Sequence, residues 1–471
     1  MSDTILSQLP AEYNGELLPS IREEFLKSEK TIVALDDDPT GTQTCYDVTV
    51  LSSWTVPLLV AELKLKPSIL FILTNSRSLP EKDAVQLALE VGGNLLAASE
   101  ETGRAIVPIS RSDSTLRGHF PAEVNALADA VNMRGAIRIL FPAFIEGGRL
   151  TIGDVHYIME QRTLIPVAET SFAQDASFGY RHSDLREWVE EKTKGKTKAS
   201  EVTSISLEDV RIGGPERVYE KLLKCKAGET VIVNACSKKD IEVFVMGLLT
   251  AERKGQKFLC RTSATFVPIR AGLVSGKILV PQKEKVSNGA LVVVGSYVPK
   301  TTSQLEHLLN KKSHQPIEVN VTELLQPGDH LSYLSSIVQQ ANKWLSDGKD
   351  VVIYTSRRLE TGSDADESLV INRLISDFLV SIVKGLTVRP AFIVAKGGIT
   401  SSDIASKGLA SQRALILGQI IPGVPVWKLE EKSKFPGITY VVFPGNVGDA
   451  TALAEVCEKF KPGPVNVQEG I

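Results

Sequence analysis

No uncharged apolar run in this chain approaches the ~18 residues of a membrane-spanning helix. Cysteine is scarce: Cys45, Cys225, Cys236, Cys260 and Cys457 are all there is, an odd number with no CxxC pair. That excludes a disulfide framework and reads as free thiols in a reducing cytoplasm. The six histidines do not cluster, which argues against a His/Cys zinc site. Net charge is only −3, so there is no basic field to gather nucleic acid or an anionic membrane surface. The first residues are acidic and lack the basic start and apolar middle of a signal peptide, so a cytoplasmic location is expected. Several motifs are missing too. There is no P-loop, no GxGxxG dinucleotide fingerprint, no protein-kinase motif set and no GxSxG elbow.

What is present is ordinary globular material, 43% hydrophobic and 23% charged over 471 residues, enough for two domains. Short β-branched runs alternate with amphipathic stretches, the pattern of parallel strands joined by crossover helices. Strands are expected at Thr31–Leu35, Val48–Leu51, Ile69–Thr74, Ala105–Ile109, Ile137–Phe141 and Val231–Asn234. In the second half they are expected at Ala290–Val294, Val351–Tyr354, Phe392–Ala395 and Tyr440–Phe443. The polar Gln282–Gly289 segment carries an Asn-Gly turn signal and makes the best linker. The expected fold is therefore α/β: two domains with largely parallel sheets, 1–284 and 285–471, and an active-site cleft between them.

In open α/β sheets ligands gather at the carboxyl ends of strands, and four such places in the first half carry charge. Asp36, Asp37 and Asp38 follow the apolar run TIVAL and precede Pro39, Thr40 and Gly41. Three adjacent carboxylates need a hydroxyl donor, a metal ion or an arginine beside them; a solvated acidic turn is the plain alternative. Ser110–His119 follows the run AIVPI and holds Arg111, Asp113 and Arg117. Guanidinium forks of this kind grip carboxylates, and Asp113 is placed to accept a proton from a hydroxyl. A helix start with an internal Asp–Arg pair is the structural alternative. Arg77 after ILFIL and Arg149 after IRILFPAF complete the set. The mixed signs suit a small, hydroxylated, anionic molecule better than a bare nucleotide phosphate. Ser114 and His119 are read as loop residues.

The second half differs. Lys396–Asp403 (KGGITSSD) follows FIVA, and its glycines allow a ligand close to the backbone. Ser401 or Ser402 is expected to N-cap the next helix, whose free N–H groups attract phosphate. Gly445–Gly448 follows TYVVF and Gly295-Ser296 follows LVVV. Three glycine-containing turns at three strand ends point to nucleotide binding, although each alone is a common strand-to-helix turn.

Taken in order, these motifs resemble the four-carbon acid sugar kinase family. The resemblance rests on Asp37-Asp38-Pro39-Thr40-Gly41, on Ser110 through Gly118, and on Gly397-Gly398-Ile399-Thr400, supported by Gly148-Arg149, Gly295-Ser296 and Gly445; it spans almost the whole chain. It implies ATP-dependent phosphorylation, with Mg²⁺, of a hydroxyl on a tetronate-type acid. Asp37 and Asp113 become the candidate catalytic carboxylates. Asp36, Asp38, Arg77, Arg111, Arg117 and Arg149 become candidate substrate ligands. Ser296, Gly397, Gly398, Ile399, Thr400 and Gly445 become candidate ATP ligands. The chain departs from the family pattern at Asp36, Pro39, Ile399 and the Phe-Pro-Gly-Asn of its last motif. The departures at Asp36 and Pro39, with Thr42-Gln43-Thr44 after the glycine, leave the acid open among tetronates, oxo-tetronates and branched or five-carbon acids, whereas those at Ile399 and the last motif remove a charged group near the phosphates and bear on nucleotide geometry. The expected partner is the small acid alone, with no nucleic acid and no membrane, and the assembly kept open is a homodimer. Two other readings stand beside the kinase. One is a non-catalytic sensor binding the same ligands, and the other a metal-dependent aldolase or lyase using Asp36–Asp38.

Overall fold

A computed structural model of the chain describes residues 2–274, 276, 278–281, 287–326, 328–357 and 365–461. The chain forms two compact units, Met1–Gly276 and Lys277–Ile471. Most of the expected linker, 282–286, and the expected boundary near residue 285 lie outside the described residues.

In the first unit the strands are β1 (Thr31–Asp36), β2 (Val48–Leu51), β3 (Ile69–Leu73), β4 (Ile106–Arg111), β5 (Ile137–Phe141), β6 (Arg149–Ile152), β7 (Val155–Glu160), β8 (Thr163–Pro166), β9 (Thr203–Ile205), β10 (Thr230–Val233) and β11 (Phe258–Thr262). Eight of them make one parallel sheet in the order β2-β3-β1-β4-β11-β5-β10-β9. Its central strands are buried on both faces, which is why they read as unbroken apolar runs. From β1 the chain runs outward to β2 and β3 on one side, then returns to β4 on the other. Such a reversal is where open α/β sheets bind ligands, here beyond the carboxyl ends of β1, β3 and β4.

Three differences from the sequence reading matter. β1 continues through Asp36, one residue past the expected end, so that carboxylate is carried into the sheet. β11 went unseen because Arg261 interrupts its apolar pattern, yet it inserts between β4 and β5. A small antiparallel sheet, β6-β7-β8, also went unseen; its strands are short and only half buried.

The helix Glu81–Thr102 packs closely on Ala122–Ala130, where Gly92 leaves room: a Cβ there would lie 2.5 Å from the Ala130 Cβ. Trp188 is fully buried and stacks on Phe120, ring centroids 4.9 Å apart.

The second unit has β12 (Leu291–Val294), β13 (His314–Val319), β14 (Asp350–Thr355), β15 (Ile393–Lys396), β16 (Arg413–Ile421), β17 (Val424–Leu429) and β18 (Thr439–Phe443). Their order is β13-β14-β12-β15-β18-β17-β16. The first five are parallel, and β17 and β16 add an antiparallel edge. Here too the chain leaves a central strand in one direction, through β13 and β14, and returns on the other side at β15. The core is aliphatic, with Val292, Val294, Leu308, Val352, Val394, Val441 and Phe443 fully buried. Both units are thus α/β with largely parallel sheets.

Trp188→Ala is expected to destabilise the chain by about 3–5 kcal/mol, the usual cost of emptying a large buried aromatic site. Denaturant unfolding measures it, and a loss below about 1 kcal/mol would mean that this packing is not as described.

Candidate active site

At the carboxyl ends of β1, β3 and β4 the charged side chains form a lattice. Arg111 at the end of β4 donates from Nη1 to Asp36 Oδ1 at 2.7 Å. Both are buried, with relative exposures of 4% and 0%. Asp36 Oδ2 has no hydrogen-bond partner, and Gly41 lies against it: a Cβ at Gly41 would fall 2.1 Å from that oxygen. Burial is the main influence that pushes the Asp36 carboxyl up to about 7, with Asp37 and Asp38 adding to it against Arg111. Asp36 and Arg111 were expected as substrate ligands. They form instead a buried brace beneath those strand ends, because β1 carries Asp36 inside.

Asp37 accepts from Arg77 on both oxygens, Nη2 at 2.8 Å and Nε at 3.3 Å, and from the Ser112 hydroxyl at 2.9 Å. Asp38 caps the turn Pro39–Thr44, accepting from the Thr40 backbone N–H at 2.8 Å and from the Thr40 hydroxyl. Burial disfavours its charge, but Arg77, 3.6 Å away, and Thr40 outweigh that and hold the carboxyl low. Asp113 Oδ2 accepts from Arg117 Nε at 2.7 Å and from the Thr115 hydroxyl, whereas Oδ1 meets the Arg77 guanidinium only at 3.8 Å. Burial again opposes the charge on Asp113, and Arg117 and Arg77 overcome it, so the carboxyl titrates well below its usual range. Arg117 is also 3.5 Å from Asp175 and lies 5.0 Å over the Phe172 ring.

Arg149, brought in by β6, is different. It donates to the Gly147 carbonyl and faces the Phe144 ring, but its Nε is buried without an acceptor. Among the described residues no carboxylate lies within ion-pair distance of it.

Two participants escaped the sequence reading. Arg261 on β11, 4% exposed, donates to Ser112 Oγ at 3.0 Å and to the Arg117 carbonyl at 2.9 Å, beneath Phe120 and Trp188. Glu123 accepts from the Ser76 hydroxyl at 2.6 Å; burial first, then the Asp37 charge, push its carboxyl up to about 7. Neither sits in a charged cluster of sequence, so no local signal marked them. His119 Nε2 faces the carbonyls of Ser76 and Leu79 at 3.2 and 3.0 Å, and its ring meets that of Phe178 edge-on.

In the second unit the three glycine turns converge on one another. A Cβ at Gly295 would lie 2.2 Å from Thr400 Oγ1; one at Gly397 would lie 3.1 Å from the Ser296 Cβ; one at Gly445 would lie 3.0 Å from Ser296 Oγ. Gly397 has φ +119°, open to glycine and strained for other residues. Thr301 Oγ1 reaches Ser296 Oγ at 3.2 Å and the Gly445 carbonyl at 3.0 Å. Ser296, Gly397, Thr400 and Gly445 are therefore together, Gly398 follows directly, and Ile399 beside them is half exposed. The expected serine cap is corrected: the helix begins at Gly398 with Gly397 as its N-cap, so Ser401 lies inside it. The Ser401 hydroxyl donates instead to the carbonyls of Ala395 and Gly397, both at 2.7 Å.

Two strand-order reversals in one chain, one lined with paired carboxylates and guanidiniums and the other with glycine turns, define a two-site α/β protein. The comparisons agree. Residues 32–269 match a family model described as a sugar-binding N-terminal domain, and 291–453 match a nucleotide-binding C-terminal domain. The chain belongs to the four-carbon acid sugar kinase family, which these two domains make up. Solved structures share its fold. One is a Haemophilus influenzae protein of the DUF1537 family (TM-score 0.61, 18% identity, 91% of this chain and 100% of that one). Another is a Salmonella typhimurium LT2 protein whose name calls it a tRNA synthase (TM-score 0.66, 16% identity, 92% and 100%). No curated protein matches the chain in sequence. Among the described residues no helix is long and apolar enough to cross a membrane, and no group of three or more His, Cys, Asp or Glu side chains is arranged to hold a metal ion.

Asp36 and Glu123 hold protons more tightly folded than unfolded, where their values are 3.8 and 4.5. Their contribution to stability is full below about pH 4 and is lost as pH rises towards 7. Unfolding free energies measured between about pH 4.5 and 7 are expected to fall less steeply in Asp36→Asn and Glu123→Gln than in the parent chain. Identical slopes would contradict the assignment.

Proposed function

We propose that the protein is an ATP-dependent kinase that phosphorylates a hydroxyl of a small sugar acid in the cytoplasm. The acid is a tetronate, an oxo-tetronate or a related branched or five-carbon acid. The observation that carries this reading is the complementary make-up of the two edges. One offers fixed acceptors and a cation, Arg149, with no carboxylate in ion-pair distance among the described residues; the other offers turns at which side chains are sterically barred.

The acid's carboxylate is assigned to Arg149, with Arg117 and Arg77 beside it. Arg149 is favoured because its Nε is buried without an acceptor, a cost that an incoming carboxylate relieves. Asp113 is assigned to orient the reacting hydroxyl and take its proton. What supports Asp113 over Asp37 is valence: Asp37 accepts on both oxygens already, whereas Asp113 Oδ1 has no close donor among the described residues. Asp38 shapes the turn above them, and Asp36 with Arg111 keeps the floor rigid.

ATP is assigned to the second edge, where Gly295, Gly397 and Gly445 let three strand-end turns pack directly against one another. Ser296, Gly397, Gly398, Ile399, Thr400 and Gly445 are the proposed contacts; bound there, ATP supplies the phosphoryl group. Mg²⁺ is proposed to ride on the nucleotide phosphates, and no step is assigned to it. Transfer demands that acceptor hydroxyl and phosphoryl group meet with water excluded. An aldolase built on Asp36–Asp38 is disfavoured, since Arg111, Arg77 and Thr40 already occupy those carboxylates.

The test is an ATP-consumption screen with Mg²⁺ against four- and five-carbon sugar acids and their oxo forms. Acid-dependent ADP release is expected from at least one. Asp113→Asn is expected to lower kcat on that acid by about 10²–10⁴-fold with little change in KM. ATP binding without turnover on any acid would favour a non-catalytic sensor, and a full rate in Asp113→Asn would remove Asp113 from the chemistry.

A further inference from the structure

The second unit holds two basic side chains that no part of the reading so far employs. Arg357 follows β14 and Lys396 ends β15, the two strands that flank β12 in the sheet. Pairing runs Val294 to Tyr354 and Val294 to Lys396, so both side chains emerge level with the Gly295-Ser296 turn. Each is fastened to that cluster through carbonyls. Arg357 donates from Nη2 to the Ser296 carbonyl and from Nη1 to the Thr355 carbonyl at 3.4 Å. Lys396 donates to the Pro444 carbonyl at 2.7 Å and approaches the Gly445 carbonyl at 3.4 Å, with its ammonium 3.9 Å from the Phe443 ring centre.

Among the described residues no carboxylate lies within ion-pair distance of either cation, and Glu306 and Glu318 act on Arg357 only from further away. A guanidinium has five N–H donors. Only the two from Nη1 and Nη2 just named find acceptors among the described residues, and Nε is buried with none. Lys396 is fully buried. In the first unit, by contrast, Arg77, Arg111 and Arg117 each face a carboxylate. Buried or half-buried cations without anions are costly unless a ligand brings the missing charge.

We propose that Arg357 is a direct ligand of the nucleotide's phosphate chain, and that Lys396 is a positioning residue that holds the Gly445 turn around the same phosphates. The proposal rests on the nucleotide reading of this unit. It commits to a ligand class, a nucleoside di- or triphosphate, rather than a nucleoside or an uncharged sugar. Carbonyl oxygens and an aromatic face stabilise a cation only in part, so the side chains are poised for an anion. Consistent with that, burial, with Lys300 as the other charged group acting on it, holds the Lys396 ammonium down to about 7. An arriving phosphate therefore favours its proton, and nucleotide binding near pH 7 takes protons up.

The test is calorimetric titration of the full chain with ADP and with adenosine. Arg357→Gln is expected to weaken ADP binding by about tenfold or more, the scale of a lost charge-assisted hydrogen bond, and to leave adenosine binding unchanged. Arg357→Lys, which keeps the charge, is expected to fall between. Binding heats in two buffers of different ionisation enthalpy are expected to reveal proton uptake by the parent chain at pH 7, lost in Lys396→Met. Equal losses for ADP and adenosine in Arg357→Gln, no loss for either, or proton uptake that survives in Lys396→Met would overturn the proposal. A parent chain that binds no adenine nucleotide would overturn the nucleotide reading with it. Binding by the parent with unaltered ADP affinity in Arg357→Gln would overturn this proposal alone.

Discussion

Charge carried into a sheet must be answered there, and the first unit is organised around that constraint. Once β1 runs on through Asp36, its carboxylate lies in the interior, where the Arg111 guanidinium on β4 compensates it. Everything outward depends on this pair. Gly41 is glycine because the carboxylate fills the space a Cβ would need. Asp37, one residue on, is pinned by Arg77 and by Ser112, which Arg261 holds in turn from β11. The result is a floor of paired charges, with Asp113 Oδ1 meeting a guanidinium only at 3.8 Å and with no carboxylate within ion-pair distance of half-buried Arg149 among the described residues. Those are the groups to which a hydroxylated acid has something to offer.

The second unit repeats the topological device with the opposite electrostatics. Its strand-order reversal is lined by backbone rather than by carboxylates, and the side chains nearby are small because Ser296, Thr400 and three glycines crowd one another. Arg357 and Lys396 stand behind the turns, and among the described residues no carboxylate lies within ion-pair distance of either. A compensated edge selects a small molecule by hydrogen-bond geometry, whereas an uncompensated one attracts phosphate through field and backbone N–H groups.

Much of this was legible in the sequence because buried parallel strands write themselves as apolar runs, and residues at their carboxyl ends stay local. Asp37, Asp113, Arg77 and the Gly397 turn were found in that way. The failures have physical causes. β11 and Arg261 were missed because a buried arginine, stacked under Phe120 and Trp188, looks in sequence like a surface residue. Glu123 sits in a helix whose acid resembles any solvated first-turn glutamate; only the fold turns it onto Ser76. The antiparallel edge of the second unit, β16 and β17, is interrupted by register shifts near Gly418 and Gln419 that blur its alternation. The serine cap failed because Gly397, at a φ only glycine takes readily, starts the helix earlier than a hydroxyl would have.

The central claim is that one chain divides the recognition of two ligands between two strand-order reversals. Equilibrium binding of ATP and of the active sugar acid to full-length Arg149→Met and Gly397→Val tests this most directly. The account predicts that Arg149→Met loses the acid and keeps ATP, and that Gly397→Val loses ATP and keeps the acid. Loss of both ligands in either correctly folded variant, or of neither in both, would contradict it.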